Sequence, residues 1–346
     1  MTTAMLTGTC VVVAVAAWLL TGVMRRYALR RQLVDVPGRR SSHVVPTPRG
    51  GGAAIVLTVT FAFLVMLVTG DAPTVPLGVI GAGLVVALVG FVDDHRSLPA
   101  VLRLGAHVGA AVLAVVSLGG APPVTVLGTV HDLGIGGDLL ACILVVWLLN
   151  LTNFMDGIDG VVGVQVATVC VVGASLAHAV APGRGMWAEP LVLTAATLGF
   201  LMWNWPPARI FMGDVGSGYI GFFFGVFSLR AGMVAPELLW AWIVLSGVFV
   251  VDATVTLLTR LHKRERVMDA HRSHAYQHLT VAWNSHRRVT CLVLAINVIW
   301  LAPIAWLVAT GGVDGLVGVG VAYAPLVVAA VRIGAGHARP KAAVLG

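Results

Sequence analysis

The chain has 346 residues, of which 58% are hydrophobic and 11% charged, and its mean hydropathy is +0.93. This composition excludes a soluble globular domain and a disordered chain, because its long uncharged runs reach membrane-spanning length. The net charge of +7 does not by itself indicate nucleic acid binding, since the cytoplasmic loops of membrane proteins collect Lys and Arg. We therefore expect a polytopic membrane protein that binds no nucleic acid.

Apolar runs divide the chain into about eleven predicted transmembrane helices, so the expected fold is all-α with a single integral-membrane domain over 1-346. The first run lacks a cleavage pattern of small residues and is interpreted as a retained span rather than a signal peptide. A glycine-rich alternating stretch at 122–137, PPVTVLGTVHDLGIGG, predicts a small hairpin. In chain order, the predicted spans cover about 4–24, 53–70, 75–92, 101–118, 138–151, 160–181, 187–203, 215–231, 235–258, 289–310 and 315–331.

The basic residues predict how these spans are oriented. If the N-terminus lies outside, the inner loops and the C-terminal tail hold 20 of the 22 Lys and Arg residues, all except Arg184 and Arg230. This asymmetry predicts an N-out, C-in topology, and an even number of spans is the main alternative. Two inner loops, 25–52 and 259–288, are the longest polar stretches and are expected to contribute to a cytoplasmic site.

Five aspartates fall at the inner ends of predicted spans, in the motifs GFVDDHRSL, NLTNFMDGIDG and ARIFMGDVGSGYIG. In the second motif, four polar residues follow one another in steps of three, so that neighbours on a helix can share one ligand. Crowded carboxylates repel one another, and a divalent cation or Arg and His partners would compensate them. Mg²⁺ fits best because it prefers oxygen ligands. The acids are Asp93, Asp94, Asp156, Asp159 and Asp214, and the amides of the second motif are Asn150 and Asn153.

Basic and glycine-rich stretches on the same predicted side suit phosphate groups. The first inner loop reads RRSSHVVPTPRGGG, the late loop reads AHRSHAYQHL, and GDVGSG at 213–218 opens a span with its positive helix end. A glycine trio more often only begins a helix, and a loop histidine is more often solvated than catalytic. The coincidence of these clusters with five acids is what favours a phosphate site. The basic residues are Arg39, Arg40, His43 and Arg49 in the first loop, and His271, Arg272, His274 and His278 in the late loop.

In this order, the motifs resemble those of the polyprenyl-phosphate N-acetylhexosamine-1-phosphate transferases, glycosyltransferase family 4. DVPGRRSSH, PTPRGGG, GFVDD, NLTNFMDGIDG, ARIFMGDVGSGYIG and HRSHAYQHL carry the resemblance, over about 35–280. The family includes translocase I of peptidoglycan synthesis, whose last motif is a run of consecutive histidines. Because this chain has HRSHAYQH there, the resemblance favours the O-antigen-initiating branch, and phospho-muramoyl-pentapeptide transfer is the alternative.

The resemblance implies a magnesium-dependent enzyme, with Mn²⁺ as a substitute, in the bacterial inner membrane with its active site facing the cytoplasm. Undecaprenyl phosphate would attack the β-phosphorus of a UDP-N-acetylhexosamine, giving undecaprenyl-diphosphate-sugar and UMP for lipopolysaccharide or other cell wall synthesis. Phosphoryl transfer depends on positioning and charge neutralisation, which agrees with acids ringed by cations. The sequence does not distinguish between N-acetylhexosamines. We consider a homodimer as one assembly of the chain.

The resemblance also implies roles for individual residues. Asp214, in FMGD, is implied as the magnesium ligand with Asp94 beside it, and Phe211 matches a residue that stacks on uracil. Asp93 and Asp94 are implied to activate the lipid phosphate, Asp93 as the base, although a phosphate monoester with a second pKa of about 6 is already mostly dianionic at neutral pH. The other implied ligands are Asn150, Asn153, Asp156 and Asp159 for the nucleotide, His271, Arg272 and His274 as catalytic contacts of the diphosphate, and Arg39, Arg40, His43 and Arg49 for the lipid phosphate or sugar nucleotide.

A secondary transporter is the alternative from a different class of protein. Intramembrane acids and about eleven spans also describe such proteins, and Asp252, in VVDATVTLL inside the ninth predicted span, is the residue that transport would use. Against transport, the other acids lie at one end of their spans, and the sequence shows no two-half symmetry. We interpret Asp252 as an acid paired with a neighbouring helix near the inner site.

Overall fold

The computed structural model of the protein describes residues 2–37, 45–70, 75–184, 186–265 and 271–338. Over these ranges the chain is a helical bundle with two short two-stranded sheets. The first seven helices are α1 (Thr3–Arg30), α2 (Gly52–Thr69), α3 (Leu77–His95), α4 (Ala100–Leu118), α5 (Gly134–Met155), α6 (Val161–Val180) and α7 (Ala188–Asn204). The others are α8 (Asp214–Val234), α9 (Pro236–Leu245), α10 (Gly247–His262), α11 (Ala275–Trp283), α12 (His286–Ala295), α13 (Ala302–Ala309) and α14 (Gly315–Ile333).

The helices confirm the predicted all-α polytopic membrane fold. Within the described ranges, nine helical segments are long and apolar enough to cross a membrane, and the bent pair α9–α10 brings the number to ten. One of the nine, His286–Ala309, joins α12 and α13 through a π-helical turn. The remaining predicted span, 187–203, corresponds to α7, which has 17 residues and packs against α1 and α6. The N-out, C-in orientation stays a prediction, because the helices alone do not distinguish the two sides of a membrane.

The ninth predicted span, 235–258, is broken into α9 and α10, which meet at an angle of 67°. Carbonyl groups at the end of α9 find partners on other helices: Tyr323 Oη donates to Ile243 O at 2.5 Å, and Gln165 Nε2 donates to Leu245 O at 3.4 Å. Non-helical backbone at membrane depth is tolerated where protein groups satisfy it in this way. The bend was not predicted from the sequence, although Ser246 and Gly247 stand at the break and a Ser–Gly pair is a usual site of a helix kink.

Two antiparallel hairpin-like pairs accompany the helices. The strands β3 (Val124–Val126) and β4 (Thr129–His131) form the hairpin that the alternating stretch at 122–137 predicted. The strands β1 (Val34–Asp35) and β2 (Thr47–Pro48) were not predicted. They tie the chain that leaves α1 to the chain that enters α2, which fixes these two described ends of the first loop beside each other.

The helix α8 lies at the centre of the bundle, and every residue from Val215 to Gly232 is buried. It packs against α3, α5 and α9. A close approach to α5 depends on glycine, since a Cβ added at Gly221 would lie 2.6 Å from the carbonyl oxygen of Leu148. Because α8 begins at Asp214, this packing holds the predicted metal ligand at the middle of one end of the bundle.

A buried ion pair lies at the other end of α8. The guanidinium of Arg230 donates from Nη1 to Glu189 Oε1 of α7 at 2.5 Å, and its Nη2 lies 3.3 Å from Met186 Sδ. The side chains of both charged residues are buried, with 8% and 0% exposed. Each neutralises the other, so Arg230, one of two basic residues outside the predicted inner set, has a structural partner.

Candidate active site

A polar cavity of about 330 Å³ opens where α3 and α5 end and α8 begins. Side chains from motifs far apart in the chain line it. They include Asp94, Asn153, Asp156, Asp159 and Asp214, together with Arg49, Phe211 and Gln277. The structure therefore brings most of the acidic motif residues to one place, which we call the acid cavity, while their chemical roles stay predictions.

Asp94 is bound to the N-terminus of α8. Its carboxylate accepts hydrogen bonds from the N–H groups of Asp214 at 3.1 Å and Val215 at 3.2 Å. Gly213, just before the helix, has a φ of 77°, and a Cβ there would lie 2.6 Å from Asp94 Oδ2, so this approach requires glycine. Arg49 donates to the carbonyl oxygen of Asp94. The contacts join α3, α8 and the first loop at one point of the acid cavity.

A cation that the sequence analysis did not single out bridges two of the acids. Nη1 of Arg103, in the first turn of α4, lies 2.6 Å from Asp93 Oδ2 and 3.3 Å from Asp214 Oδ2. The second oxygen of Asp93 accepts the N–H of Leu98 at 2.6 Å. Arg103 therefore offsets part of the repulsion between these carboxylates. The sequence does contain a signal for this residue. Arg103 is a lone arginine in the first turn of an otherwise apolar span, on the same predicted side as the acids.

Three of the four polar residues in NLTNFMDGIDG line the acid cavity. Asn153 Nδ2 donates to Ser217 Oγ of α8 at 3.0 Å, and Asp156 lies directly after the end of α5. The carboxylate of Asp159 accepts the N–H of Ala208 at 3.0 Å. Its other oxygen lies 3.1 Å from Nδ1 of His286, a contact that the sequence did not suggest.

Asn150, the fourth residue of that series, points elsewhere. Its Nδ2 donates to the carbonyl oxygen of Val146 in its own helix at 2.7 Å, and it also interacts with His107 of α4. Steps of three residues drift around a helix, and this first member has turned away to the face between α4 and α5. Asn150 does not line the acid cavity, and its predicted nucleotide contact stays a prediction.

The acid cavity is electrostatically unbalanced. Burial raises the pKa of Asp156 well above its usual range, and the negative charges of Asp214, Asp94 and Asp159 raise it further. A cation in the cavity would favour the charged form of all four carboxylates. The geometry therefore suits a positively charged ligand, or a ligand that brings a metal ion with it.

The oxygen donors of the acid cavity fit Mg²⁺. Asp94 and Asp214 are the residues that would hold it, with carboxylates at the end of α3 and the start of α8. Among the described residues, no group of three His, Cys, Asp or Glu side chains is arranged to hold a metal ion. Mg²⁺ does not require three such side chains, because it keeps several waters and is usually bound through one or two carboxylates plus substrate phosphates.

A second cavity of about 310 Å³ shares Asp159 and Phe211 with the acid cavity. Its walls also contain Thr47, Arg272 and His286, and they are more apolar than those of the first. We call it the side cavity. The two cavities are therefore adjacent. Most of the acids line the acid cavity, Arg272 lies on the wall of the side cavity, and Asp159 and Phe211 belong to both.

The glycine run of the first loop binds protein rather than exposing its amides to a phosphate. Gly51 N–H donates to Phe211 O at 2.9 Å, and Gly52 N–H donates to Met212 O at 2.8 Å. The N–H of Phe211 donates in turn to Pro48 O at 2.8 Å. These bonds fix the FMGD segment, so the expectation that the glycines cradle phosphate is not supported. The other predicted basic ligands of this loop lie outside the described residues: Arg39, Arg40 and His43.

The structure divides the HRSH segment. Arg272 lines the side cavity. His274 is buried, with 3% of its surface exposed, and it caps the N-terminus of α11 in a reciprocal arrangement with Gln277. Nδ1 of His274 lies 3.3 Å from Oδ1 of Asp252, and the His271 ring stacks on His274 with 5.0 Å between centroids. The predicted contact of both histidines with the diphosphate stays a prediction, but only Arg272 of the three lines either cavity.

A larger groove of about 610 Å³ lies between α1 and α7, away from the acids. Apolar side chains such as Trp18, Leu198 and Trp205 form its walls. It lacks the charged groups that a nucleotide or a phosphate needs, so its size does not make it the active site.

Comparison with known proteins agrees with the motifs. The sequence profile of glycosyl transferase family 4 matches residues 76–232. A decaprenyl-phosphate N-acetylglucosaminephosphotransferase from Mycolicibacterium smegmatis is 30% identical over 331 residues, covering 85% of this chain and 79% of the relative. A probable undecaprenyl-phosphate N-acetylglucosaminyl 1-phosphate transferase from Bacillus subtilis is 29% identical over 291 residues, covering 82% and 79%. A phospho-N-acetylmuramoyl-pentapeptide-transferase from Moorella thermoacetica is 32% identical over 230 residues, covering 61% and 68%.

The helical membrane bundle, the acid cavity at one end of it and these similarities together define an integral-membrane transferase. The chain belongs to glycosyl transferase family 4, the family of polyprenyl-phosphate hexosamine-1-phosphate transferases. The resemblance carried by the sequence motifs is thereby confirmed.

Proposed function

We propose that the protein transfers an N-acetylhexosamine-1-phosphate from a UDP-sugar to a polyprenyl phosphate, with UMP as the second product. The observation that carries the proposal is the meeting of Asp94, Asp156 and Asp214 with Arg49 and Arg103 at one end of a membrane bundle. Two phosphate-bearing substrates approach each other only where cations offset their charge. One substrate stays in the bilayer and the other in water, so a site at the end of the spans serves both.

The relatives support N-acetylglucosamine as the first sugar to test, because two of them are named for it. Their names differ in the carrier, undecaprenyl in one and decaprenyl in the other. We propose that the product begins a cell-envelope polysaccharide and that the site faces the cytoplasm. The O-antigen role that the HRSHAYQH motif favours stays a prediction, and cell wall synthesis is the broader expectation.

In the acid cavity, Asp94 and Asp214 would hold Mg²⁺, which when bound supplies positive charge to the diphosphate of the sugar nucleotide. Asp93 is ion-paired with Arg103 and hydrogen-bonded to Leu98 N–H, and these contacts orient it. A lipid phosphate with a second pKa of about 6 is largely dianionic at neutral pH and needs positioning more than deprotonation. We therefore assign Asp93 and Arg103 to placing the lipid phosphate, with Asp93 as an auxiliary base.

The nucleotide would extend from the acid cavity into the side cavity. Phe211 belongs to both walls and would stack on uracil, while Asp159 is held between Ala208 N–H and His286. Arg272 lies on the side-cavity wall, where a guanidinium can bind phosphate or sugar oxygens. Asn153 and Asp156 complete the proposed nucleotide site from α5.

The test is UMP release by purified protein supplied with undecaprenyl phosphate, Mg²⁺ and one UDP-sugar at a time. We expect UMP together with a lipid-linked product whose mass identifies the sugar, and we expect loss of both on removal of Mg²⁺ with EDTA. Reaction with the muramyl-pentapeptide nucleotide alone would assign the protein to the translocase I type. Ion or solute flux without UMP would favour the transporter and contradict the proposal.

A further inference from the structure

We propose that Asp252 is a positioning residue of the active site, which caps α11 from a neighbouring helix and thereby places Arg272 and Gln277 at the two cavities. The inference rests on the proposed function. It gives a role in the reaction to a buried acid that lies outside both cavities, and it explains why the HRSH segment keeps one arrangement.

Both carboxylate oxygens of Asp252 accept hydrogen bonds from the start of α11. Oδ1 accepts the N–H of Ala275 at 2.9 Å, and Oδ2 accepts the N–H of Tyr276 at 2.9 Å. Oδ1 also lies 3.3 Å from His274 Nδ1 and accepts Thr256 Oγ1 at 3.2 Å. The first N–H groups of a helix have no partner within the helix, and a negative charge at that end is stabilised by the helix dipole.

The capped helix carries groups of both cavities. Gln277, in the first turn of α11, lines the acid cavity, and Thr280, one turn later, lines the side cavity. Tyr276 Oη donates to the carbonyl oxygen of Phe154 at 3.2 Å, which joins α11 to the end of α5. A shift of the α11 N-terminus would therefore move the lining of both cavities together, including Arg272 two residues before the cap.

The other side of the HRSH segment is held by the turn after α14. Gly336 N–H donates to Ser273 O at 2.7 Å, and Lys263 Nζ donates to Gly336 O at 3.3 Å. Ser273 Oγ lies 2.9 Å from His271 Nδ1. The segment is thus held by Asp252 on one side and by this turn on the other, and among the described residues only Asp252 meets the N–H groups that begin α11 with a charged group.

The bend between α9 and α10 gives Asp252 its position. Because the two helices meet at 67°, α10 takes a separate direction and reaches α11 and α14. Tyr323 and Gln165 bind carbonyl groups at the bend, where Ile243 O also accepts the N–H of Ser246. The broken span thus connects the middle of the bundle to the segment that lines the active site.

Replacing Asp252 with Ala should free the start of α11 and lower UMP release by about a hundredfold, the loss that a displacement of about 1 Å can cause in a positioned site. Hydrogen–deuterium exchange of peptides covering 274–283 should become faster. Asp252→Asn keeps the shape but turns an amide donor toward one backbone N–H, so a smaller change in the same direction is expected. It provides folded protein if the alanine variant does not fold.

A double-mutant comparison separates positioning from general stability. If Asp252 acts through the segment that carries Arg272, then Asp252→Ala should cost much less activity in an Arg272→Ala background than in the wild type. Equal losses in both backgrounds would overturn the proposal. The matched control is Glu189→Gln, which removes a buried acid far from the site and should leave turnover per folded molecule and exchange over 274–283 unchanged.

The exchange measurement does not depend on activity, so the two proposals fail in different ways. Faster exchange in the Asp252 variants, with no UMP release by the wild type, would contradict the proposed function and leave the cap in place. Unchanged exchange with active wild-type protein would overturn the role of Asp252. An activity loss in the Asp252 variants that disappears when turnover is normalised to folded protein would overturn it as well.

Discussion

At one end of α8, Arg230 and Glu189 face each other at 2.5 Å and leave no net charge in their surroundings. At the other end, Asp214 shares its surroundings with several more carboxylates, and Arg103 bridges only Asp214 and Asp93. Both regions lie at ends of the same buried helix. The two regions differ in charge balance and also in exposure, since the Asp214 side chain is 34% exposed whereas those of Arg230 and Glu189 are 8% and 0% exposed.

A balanced buried pair carries its own compensating charge, so the attraction between Arg230 and Glu189 offsets part of the cost of desolvation, although Glu189 Oε2 has no hydrogen-bond partner among the described residues. An unbalanced group of acids is costly in the free protein, and it is retained where a ligand completes it. We therefore expect the Arg230–Glu189 pair to stabilise the fold and the acid cavity to bind a positively charged ligand. This expectation can be tested by neutralising one acid in each region.

The largest expected effect is on activity in Asp214→Asn. The change keeps volume but removes a charge that would attract Mg²⁺, so UMP release should fall by roughly a thousandfold or more. Metal-free stability should stay equal or rise slightly, and the stabilisation that Mg²⁺ and UDP-sugar give the wild type should shrink. Melting temperature with and without Mg²⁺, measured beside UMP release, checks both. A variant that is destabilised yet active would contradict the metal site.

Glu189→Gln should have the opposite effect, lowering stability while leaving activity per folded molecule unchanged. It leaves Arg230 buried without its partner charge, so the free energy of unfolding should fall by about 3–5 kcal/mol. Activity per folded molecule should match the wild type, because the pair is far from the acid cavity. Denaturant unfolding in detergent, together with UMP release normalised to folded protein, measures the two quantities. Loss of turnover without loss of stability would contradict a purely structural role of the Arg230–Glu189 pair.

Arg103→Ala removes the cation between Asp93 and Asp214, and turnover should fall by about a hundredfold. Arg103→Lys should recover part of the activity, since an ammonium restores the charge but not the planar, multi-donor geometry. The decisive measurement is UMP release as a function of polyprenyl phosphate concentration, where the apparent KM should rise. Unchanged kinetics in the alanine variant would remove Arg103 from the proposed lipid phosphate site.

The smallest expected effect is a pH dependence of the HRSH segment. Burial lowers the pKa of His271 to about 4, and the positive charges of His274 and Arg260 contribute. The folded state thus holds fewer protons than the unfolded state, so this contribution to stability is complete above the ordinary value of about 6.5 and is lost as pH falls through about 4. Exchange over 271–283, corrected for its intrinsic rate, should be faster at pH 5 than at pH 7, and His271→Gln should reduce the difference.

Much of the architecture was predictable, because each span is a local property of the chain. All eleven apolar segments contain helix, and the alternating stretch at 122–137 forms its hairpin. The acids of three motifs meet because each motif stands at a helix end on the same side of the bundle. Local patterns therefore predicted the fold class and the meeting of these acids, while their roles stay predictions.

Contacts within the site were less predictable. Asn150 carries the right residue type in the right step of three, yet it turns to the face between α4 and α5, where it meets His107. Arg103 stands outside every motif but lies between two of the acids. The HRSH motif suggested equivalent residues, whereas Arg272 lines the side cavity and His274 is buried and lines neither cavity. In each case the deciding factor is which helix packs next to the residue.

By itself, the sequence determined the membrane class, the spans and the family, because apolar run length and ordered motifs are properties of neighbouring residues. The tertiary structure alone decided the partners of Asp252 and the bridge made by Arg103. These depend on contacts between segments far apart in the chain. Such contacts are set by how whole helices pack, through small residues such as Gly221 and polar groups such as Tyr323, and no local pattern encodes them.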